Sequence, residues 1–230
     1  MEIKVLKNIM KRNEDLAGLN REIFDKHGIV TVNIMSSPGA GKTTILEKAI
    51  PILRKDLNLA IIEGDLMTSR DAERIKRQQV PVVQINTEGG CHLDANMINL
   101  SLNELDLADI DLIIIENVGN LVCPGTYDLG EHFKLVVLSV AEGDDKPAKY
   151  PLMFQESRAC ILNKIDLLPY SNFDLTTFNE DIHNLNPAME IFHTAAFSGE
   201  GLEQWCSWLK DQVRQENYGK NDLTQEQRLK

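Results

Sequence analysis

Apolar residues cluster along this chain in short runs, separated by stretches in which they recur every three or four positions. The runs at 29–35, 59–63, 82–85, 112–116, 135–140, 160–162 and 190–194 read as strands buried on both faces, because a half-exposed strand would alternate apolar with polar. Between them, periodic segments at 43–53, 69–79, 95–105, 176–185 and 201–215 read as helices. Strands that are continuous apolar runs alternating with helices predict an α/β fold, a mostly parallel sheet with helices on both faces. Ahead of the first strand, Ile3, Leu6, Ile9, Met10, Leu16, Leu19, Ile23 and Phe24 keep mostly helical spacing among charges. They predict an N-terminal amphipathic helical extension over 1–27, whose plainest role is packing on the domain. The polar segment 216–230 reads as a disordered tail. That leaves 28–215 as one domain.

At 230 residues and 43% hydrophobic, the chain is long enough to close a substantial core. A net charge of −11 argues against a nucleic-acid partner, which needs clustered Lys and Arg; solubility is the simpler reason for such a surface. No stretch approaches the roughly 18 apolar residues of a membrane span, and the first residues carry no apolar leader, so no membrane association and a cytoplasmic location are expected. Four cysteines (Cys91, Cys123, Cys160, Cys206) are too few for a disulfide framework and fit a reducing compartment.

Ligands of parallel sheets bind beyond the carboxyl ends of the strands, and the chemistry-bearing residues fall there. Ser36-Ser37-Pro38-Gly39-Ala40-Gly41-Lys42-Thr43-Thr44 follows the first strand and opens a helix, the arrangement of a phosphate-binding loop, or P-loop. Backbone N–H groups would face an anion, Lys42 would neutralise the β- and γ-phosphates, and Thr43 would ligate Mg²⁺. Ser36 stands where the full pattern has glycine, and a serine relaxes less readily into positive φ. Further on, Asn163-Lys164-Ile165-Asp166 follows the run at 160–162. A fixed carboxylate at Asp166 accepts from N1–H and the 2-amino group of guanine and repels adenine, while Asn163 and Lys164 brace the loop and flank the base. Together the two motifs indicate a P-loop GTPase binding GTP and GDP.

The strand at 112–116 delivers Glu116, then Asn117-Val118-Gly119, where GTPases commonly carry Asp-x-x-Gly. A carboxylate there can hold Mg²⁺, and Gly119 lets its N–H approach the γ-phosphate. Asp65, after the second strand, is a second candidate Mg²⁺ ligand and water-orienting group, or an ordinary loop carboxylate. Position 120 is Asn where some GTPases place a water-orienting Gln, so slow hydrolysis is expected. Ala195 and Ala196 lie in a turn between strand and helix; the Ala196 N–H either meets guanine O6 or belongs to a plain helix-entry turn.

Cys91-His92 lies between a strand and a helix, and Cys123 follows the Glu116 strand. Two thiolates and an imidazole suit Ni²⁺ or Zn²⁺, although no C-x-x-C is present and a cysteine is as readily a small apolar residue. Three such ligands leave a tetrahedral site incomplete, so a further ligand must come from water, a substrate protein or a second copy of the chain. Cys160, within a strand, and Cys206, beside Trp205, read as structural.

At these positions the chain resembles the hydrogenase nickel-incorporation GTPase family, HypB, of the SIMIBI class, over most of 29–210. The residues that carry it are 35–44, 63–72, 89–95, 116–124 and 163–166; Ser36 and Glu116, odd for a generic GTPase, are normal there. The related urease accessory GTPases carry Cys-Pro-His where this chain has Cys123-Pro124-Gly125. The resemblance implies a GTPase that dimerises with GTP and holds Ni²⁺ or Zn²⁺ at Cys91, His92 and Cys123 near the subunit interface. It implies nickel insertion into [NiFe]-hydrogenase, with the small zinc-containing nickel chaperone HypA as partner and the hydrogenase large subunit as recipient. Some members open with a Cys- or His-rich nickel-binding stretch; residues 1–26 hold neither.

Overall fold

The apolar runs become seven strands: β1 (Val30–Ser36), β2 (Leu59–Asp65), β3 (Val82–Asn86), β4 (Leu112–Glu116), β5 (Phe133–Ser139), β6 (Ser157–Asn163) and β7 (Glu190–Thr194). They form one all-parallel sheet in the order β3-β2-β4-β1-β5-β6-β7. The structure is a computed structural model that describes residues 8–65 and 70–228. Ile3 and Leu6 of the expected N-terminal stripe, and residues 66–69 after Asp65, lie outside the described residues.

Nine helices accompany the strands among the described residues: α1 (Asn8–His27), α2 (Lys42–Leu53), α3 (Arg70–Lys76), α4 (Ala95–Leu102), α5 (Cys123–Thr126), α6 (Lys146–Lys149), α7 (Pro151–Gln155), α8 (Leu175–Leu185) and α9 (Leu202–Arg228). On one face of the sheet Val32, Ile61, Ile114 and Val137 pack under Leu46 and Ile50 of α2 and Trp205 and Leu209 of α9. On the other, Val136, Leu138 and Leu162 meet Phe154 and Phe178 of α7 and α8, and Ile62, Ile113 and Ile115 meet Phe24 of α1 and Ile98 of α4. Because both faces are covered, period-two alternation disappears from the sequence and the strands read as runs. Helices α5, α6 and α7 escape periodicity: each is at most five residues and starts on a proline at its first turn, Pro124, Pro147 or Pro151.

Helix α1 presents a different face from the one its apolar residues suggest. Its buried stripe is Asn13, Ala17, Asn20 and Phe24, while Leu19 stays 50% exposed. Asn20 Nδ2 donates to the carbonyls of Ala95 (2.8 Å) and Leu129 (2.9 Å), and Asn13 donates to Asp128 O (2.7 Å) and accepts from Ala95 N–H (2.9 Å). These bonds let two asparagines sit in the interface at little cost. The last helix also differs from expectation. It runs on to Arg228 in place of a disordered tail beginning at 216; no proline stops it, and Gln225, Glu226, Gln227 and Arg228 favour helix where Gly219, Asn221 and Asp222 do not.

Candidate nucleotide pocket and metal centre

The carboxyl ends of β1, β2 and β4 and the loop between β1 and α2 enclose a cavity of about 440 Å³. Gly39, Gly41, Lys42, Thr43, Thr44, Asp65, Glu116, Gly119 and Lys164 all line it, so the sequence-derived phosphate and magnesium candidates are brought together. Gly41 adopts φ 103°, a left-handed conformation suited to glycine, and a Cβ there would collide with Asn163. Ser36 makes no such demand: it closes β1 in extended geometry, fully buried, and its hydroxyl accepts from Lys42 Nζ at 2.6 Å. Arg74 of α3 enters the same cavity, donating to Thr44 Oγ1 (3.1 Å) and to both carboxylate oxygens of Glu47.

At the floor, Thr43 Oγ1 donates to Glu116 Oε1 at 2.8 Å. Glu63 stands beside Glu116 in parallel register on β2, and both are buried, at 2% and 4% exposure. Glu63 is the residue sequence reasoning passed over, although it ends an apolar run just as Glu116 does. One hydroxyl and the carboxylates of Glu63, Asp65 and Glu116 make an all-oxygen donor set suited to a hard divalent cation. Gly119 approaches Pro38 so closely that an added Cβ would lie 3.0 Å from the Pro38 backbone.

On the far side of the phosphate loop, Asn163 gathers three segments. Its Nδ2 donates to Ala40 O (2.9 Å), and its Oδ1 accepts from Thr194 Oγ1 and Ala196 N–H, each at 3.1 Å. Lys164, in the left-handed region at φ 61°, donates to Gly39 O (2.8 Å). Asp166 is exposed at the start of the following 3-10 turn, clear of the phosphate cavity. The Ala196 N–H proposed for guanine O6 is committed to Asn163, and the Ala195 N–H to Glu200 O (3.1 Å), so these two residues behave as the plain helix-entry turn.

The second cluster lies at the same end of the sheet. Loops after β3 and β4 are separated by β2 in the sheet, yet they close over its end and bring Cys91 Sγ to 3.2 Å from Cys123 Sγ and 3.5 Å from His92 Nδ1. Ligand atoms of Cys91, His92 and Cys123 lie within 4.8 Å of one another. The thiol of Cys123 is pushed up by its hydrogen bond to Cys91 and then by burial, while burial pushes the His92 imidazole below its usual value against the pull of Asp94. A ring stack on Tyr127 (3.9 Å) orients His92. Asn120 works inside this cluster, donating to Cys91 O (3.3 Å) and accepting from Val122 N–H (2.8 Å). Cys160 and Cys206 are buried, the second with its thiol pushed up to about 12 by desolvation, as inert structural cysteines should be.

Residues 30–193 match the model of the CobW/HypB/UreG nucleotide-binding domain. The chain is 46% identical over 212 residues to the hydrogenase maturation factor HypB of Escherichia coli K12, covering 92% of this chain and 72% of that protein. It is 42% identical over 221 residues to the hydrogenase/urease maturation factor HypB of Helicobacter pylori strain J99, covering 94% and 90%. Among solved structures, HypB from Helicobacter pylori in complex with nickel superposes with a TM-score of 0.85 at 40% identity, covering 90% of this chain and 97% of that one.

Proposed function

The chain belongs to the CobW/HypB/UreG nucleotide-binding family, and from that premise we propose that it is a GTP-binding and GTP-hydrolysing metallochaperone that carries nickel for insertion into [NiFe]-hydrogenase. The observation that carries this reading is the meeting of Cys91, His92 and Cys123 within 4.8 Å at the same end of the sheet as the nucleotide cavity, Cys123 on the loop that continues from Glu116 and Gly119 of its lining. Two thiolates and an imidazole favour a borderline-soft ion, and three protein ligands leave a position through which it is taken up and passed on. Zn²⁺ suits the same ligands.

In the nucleotide half, Lys42 exchanges the Ser36 hydroxyl for phosphate oxygens, and the N–H groups of 39–44 cradle the β-phosphate. Thr43 and Glu116, with Asp65 and Glu63 beside them, would hold Mg²⁺, which would supply neutralisation of the phosphate charge. Asp65 orients the attacking water, and Gly119 offers its N–H to the γ-phosphate. Asn120 is engaged with the Cys91 loop, which supports slow hydrolysis. Asp166 selects guanine, with Lys164 flanking the base and Asn163, Ala195 and Ala196 forming the wall behind it. GTP promotes a homodimer that completes the metal coordination, HypA exchanges metal with it, and the hydrogenase large subunit receives the nickel in the cytoplasm.

The test is a Ni²⁺ titration of protein loaded with GDP or a non-hydrolysable GTP analogue, wild type against Cys123→Ala, with mass recorded. The expected result is a Cys123-dependent site whose affinity or dimer linkage changes with nucleotide. Binding that ignores both Cys123 and nucleotide would reduce the protein to a GTPase without metal gating.

A further inference from the structure

A continuous buried polar chain runs beneath the metal centre and joins its two ligand loops. It begins at the Leu93 N–H, next to His92, which donates to Asn117 Oδ1 at 3.1 Å. Asn117 Nδ2 donates to Asn33 Oδ1 (3.1 Å), and Asn33 Nδ2 to Glu131 Oε1 (3.2 Å). Glu131 faces Lys134 Nζ at 3.8 Å, and that ammonium donates to Gly125 O (2.9 Å) within α5, the helix that Cys123 opens. Asn33, Asn117 and Glu131 are 0%, 1% and 6% exposed, so water cannot substitute for these bonds.

Asn117 is the one member of this chain that also belongs to the nucleotide cavity. It follows Glu116 directly, its backbone N–H donates to Ile34 O (3.0 Å) two residues before Ser36, and its Oδ1 also accepts the Val118 N–H (2.9 Å) on the way to Gly119. Leu93 is held from the other side as well: its side chain lies over Gly64, where an added Cβ would come within 2.8 Å of it, between Glu63 and Asp65. A single amide oxygen therefore holds two N–H groups, one in the γ-phosphate-facing segment and one in the Cys91-His92 loop.

We propose that Asn117 is a positioning residue that transmits nucleotide state to the metal ligands, the shared Oδ1 forcing the Val118 and Leu93 amides to move together. The inference rests on the metallochaperone reading above. It locates the gate in the Asn117–Leu93 bond, in the loop that carries Cys91 and His92, whereas covalent continuity would route it along 119–123 to Cys123. Coupling between two sites is a ratio of affinities, so a residue that only supports the fold shifts both affinities together and leaves the ratio unchanged.

The experiment measures Ni²⁺ affinity in the GDP and GTP-analogue states, in wild type and Asn117→Ala, and hydrogen exchange of the Leu93 amide in the two states of wild type. In wild type the two nickel affinities should differ by about 5-fold or more, and Leu93 amide protection should change with nucleotide by about 10-fold. In Asn117→Ala the affinity ratio should fall to within about 2-fold of unity, whatever happens to nickel affinity without nucleotide. A wild-type ratio retained by Asn117→Ala, or Leu93 protection identical in the two states, would overturn the inference while leaving nucleotide gating intact. A wild-type ratio of one would remove the gating itself. Hydrogen exchange needs no variant, so the inference remains open to refutation even where Asn117→Ala does not fold.

Discussion

Asn163 Nδ2 donates to the Ala40 carbonyl at 2.9 Å, so the side chain that opens the turn we propose to read the base also holds the middle of the phosphate loop. On that reading base and phosphate recognition are joined by one amide, whose oxygen simultaneously accepts from Thr194 and Ala196.

Asn163→Ala should therefore weaken GDP and GTP alike. Leaving buried partners unsatisfied costs about 1–3 kcal/mol, which is roughly 5- to 150-fold in affinity. Asp166→Asn should act differently: it replaces an acceptor by a donor, lowering GTP affinity while raising affinity for xanthosine triphosphate. Fluorescent-nucleotide titration separates the two. Equal losses for every base in Asp166→Asn would refute the assignment of base choice to that carboxylate.

Glu63 and Glu116 sit side by side on adjacent strands, both buried. Same-face neighbours across a ladder lie about 5 Å apart, where like charges oppose each other. Glu63→Gln should raise the melting midpoint of the nucleotide-free protein by about 2–4 °C and reduce turnover by roughly 10-fold, as expected for a carboxylate that serves a bound cation. A lower midpoint with unchanged turnover would make Glu63 a purely structural residue.

The sheet was legible in the sequence because its five central strands are buried almost throughout, and the β4 and β7 bounds read from the sequence coincide with those observed. The phosphate loop was legible because glycine and lysine at fixed spacing leave few other readings. The docking face of α1 was not: periodicity counts apolar residues, and Asn13 and Asn20 are buried by virtue of backbone partners more than 70 positions away in sequence. Glu63 escaped for a related reason. Its meaning depends on β2 lying next to β4, a neighbour relation absent from either segment alone. The cysteine pair was suspected from residue type, but its proximity depends on two loops closing across β2.

Helix α1 is built into the domain through Asn20, which bridges Ala95 and Leu129 and accepts from Asn99 Nδ2 at 2.9 Å. Asn20→Ala removes the side-chain donor from two buried backbone carbonyls and should destabilise the protein by about 2–3 kcal/mol, read as a shifted urea midpoint at unchanged slope. GDP affinity should stay within about twofold of wild type, since the nucleotide cavity is elsewhere. An unshifted midpoint would mean that α1 is a detachable extension.

Metal uptake at Cys91, His92 and Cys123 should rise steeply with pH. Metals bind thiolates, so each thiol that is protonated at neutral pH must release its proton on binding. The Cys123 thiol is held above its usual value, first by the Cys91 hydrogen bond, so its protonated form persists to higher pH and the competition extends further upward. His92 shifts the other way, its imidazole already neutral above about pH 6.5, so it adds no pH dependence in that range. The logarithm of Ni²⁺ affinity should climb by about two per pH unit between pH 6.5 and 8, with the matching proton release seen by calorimetry in buffers of different ionisation enthalpy. Cys91→Ala removes one thiol and the hydrogen bond that raises the other, so the slope should drop to about one and level off at lower pH. A wild-type slope near zero would show that the thiols do not ligate the ion.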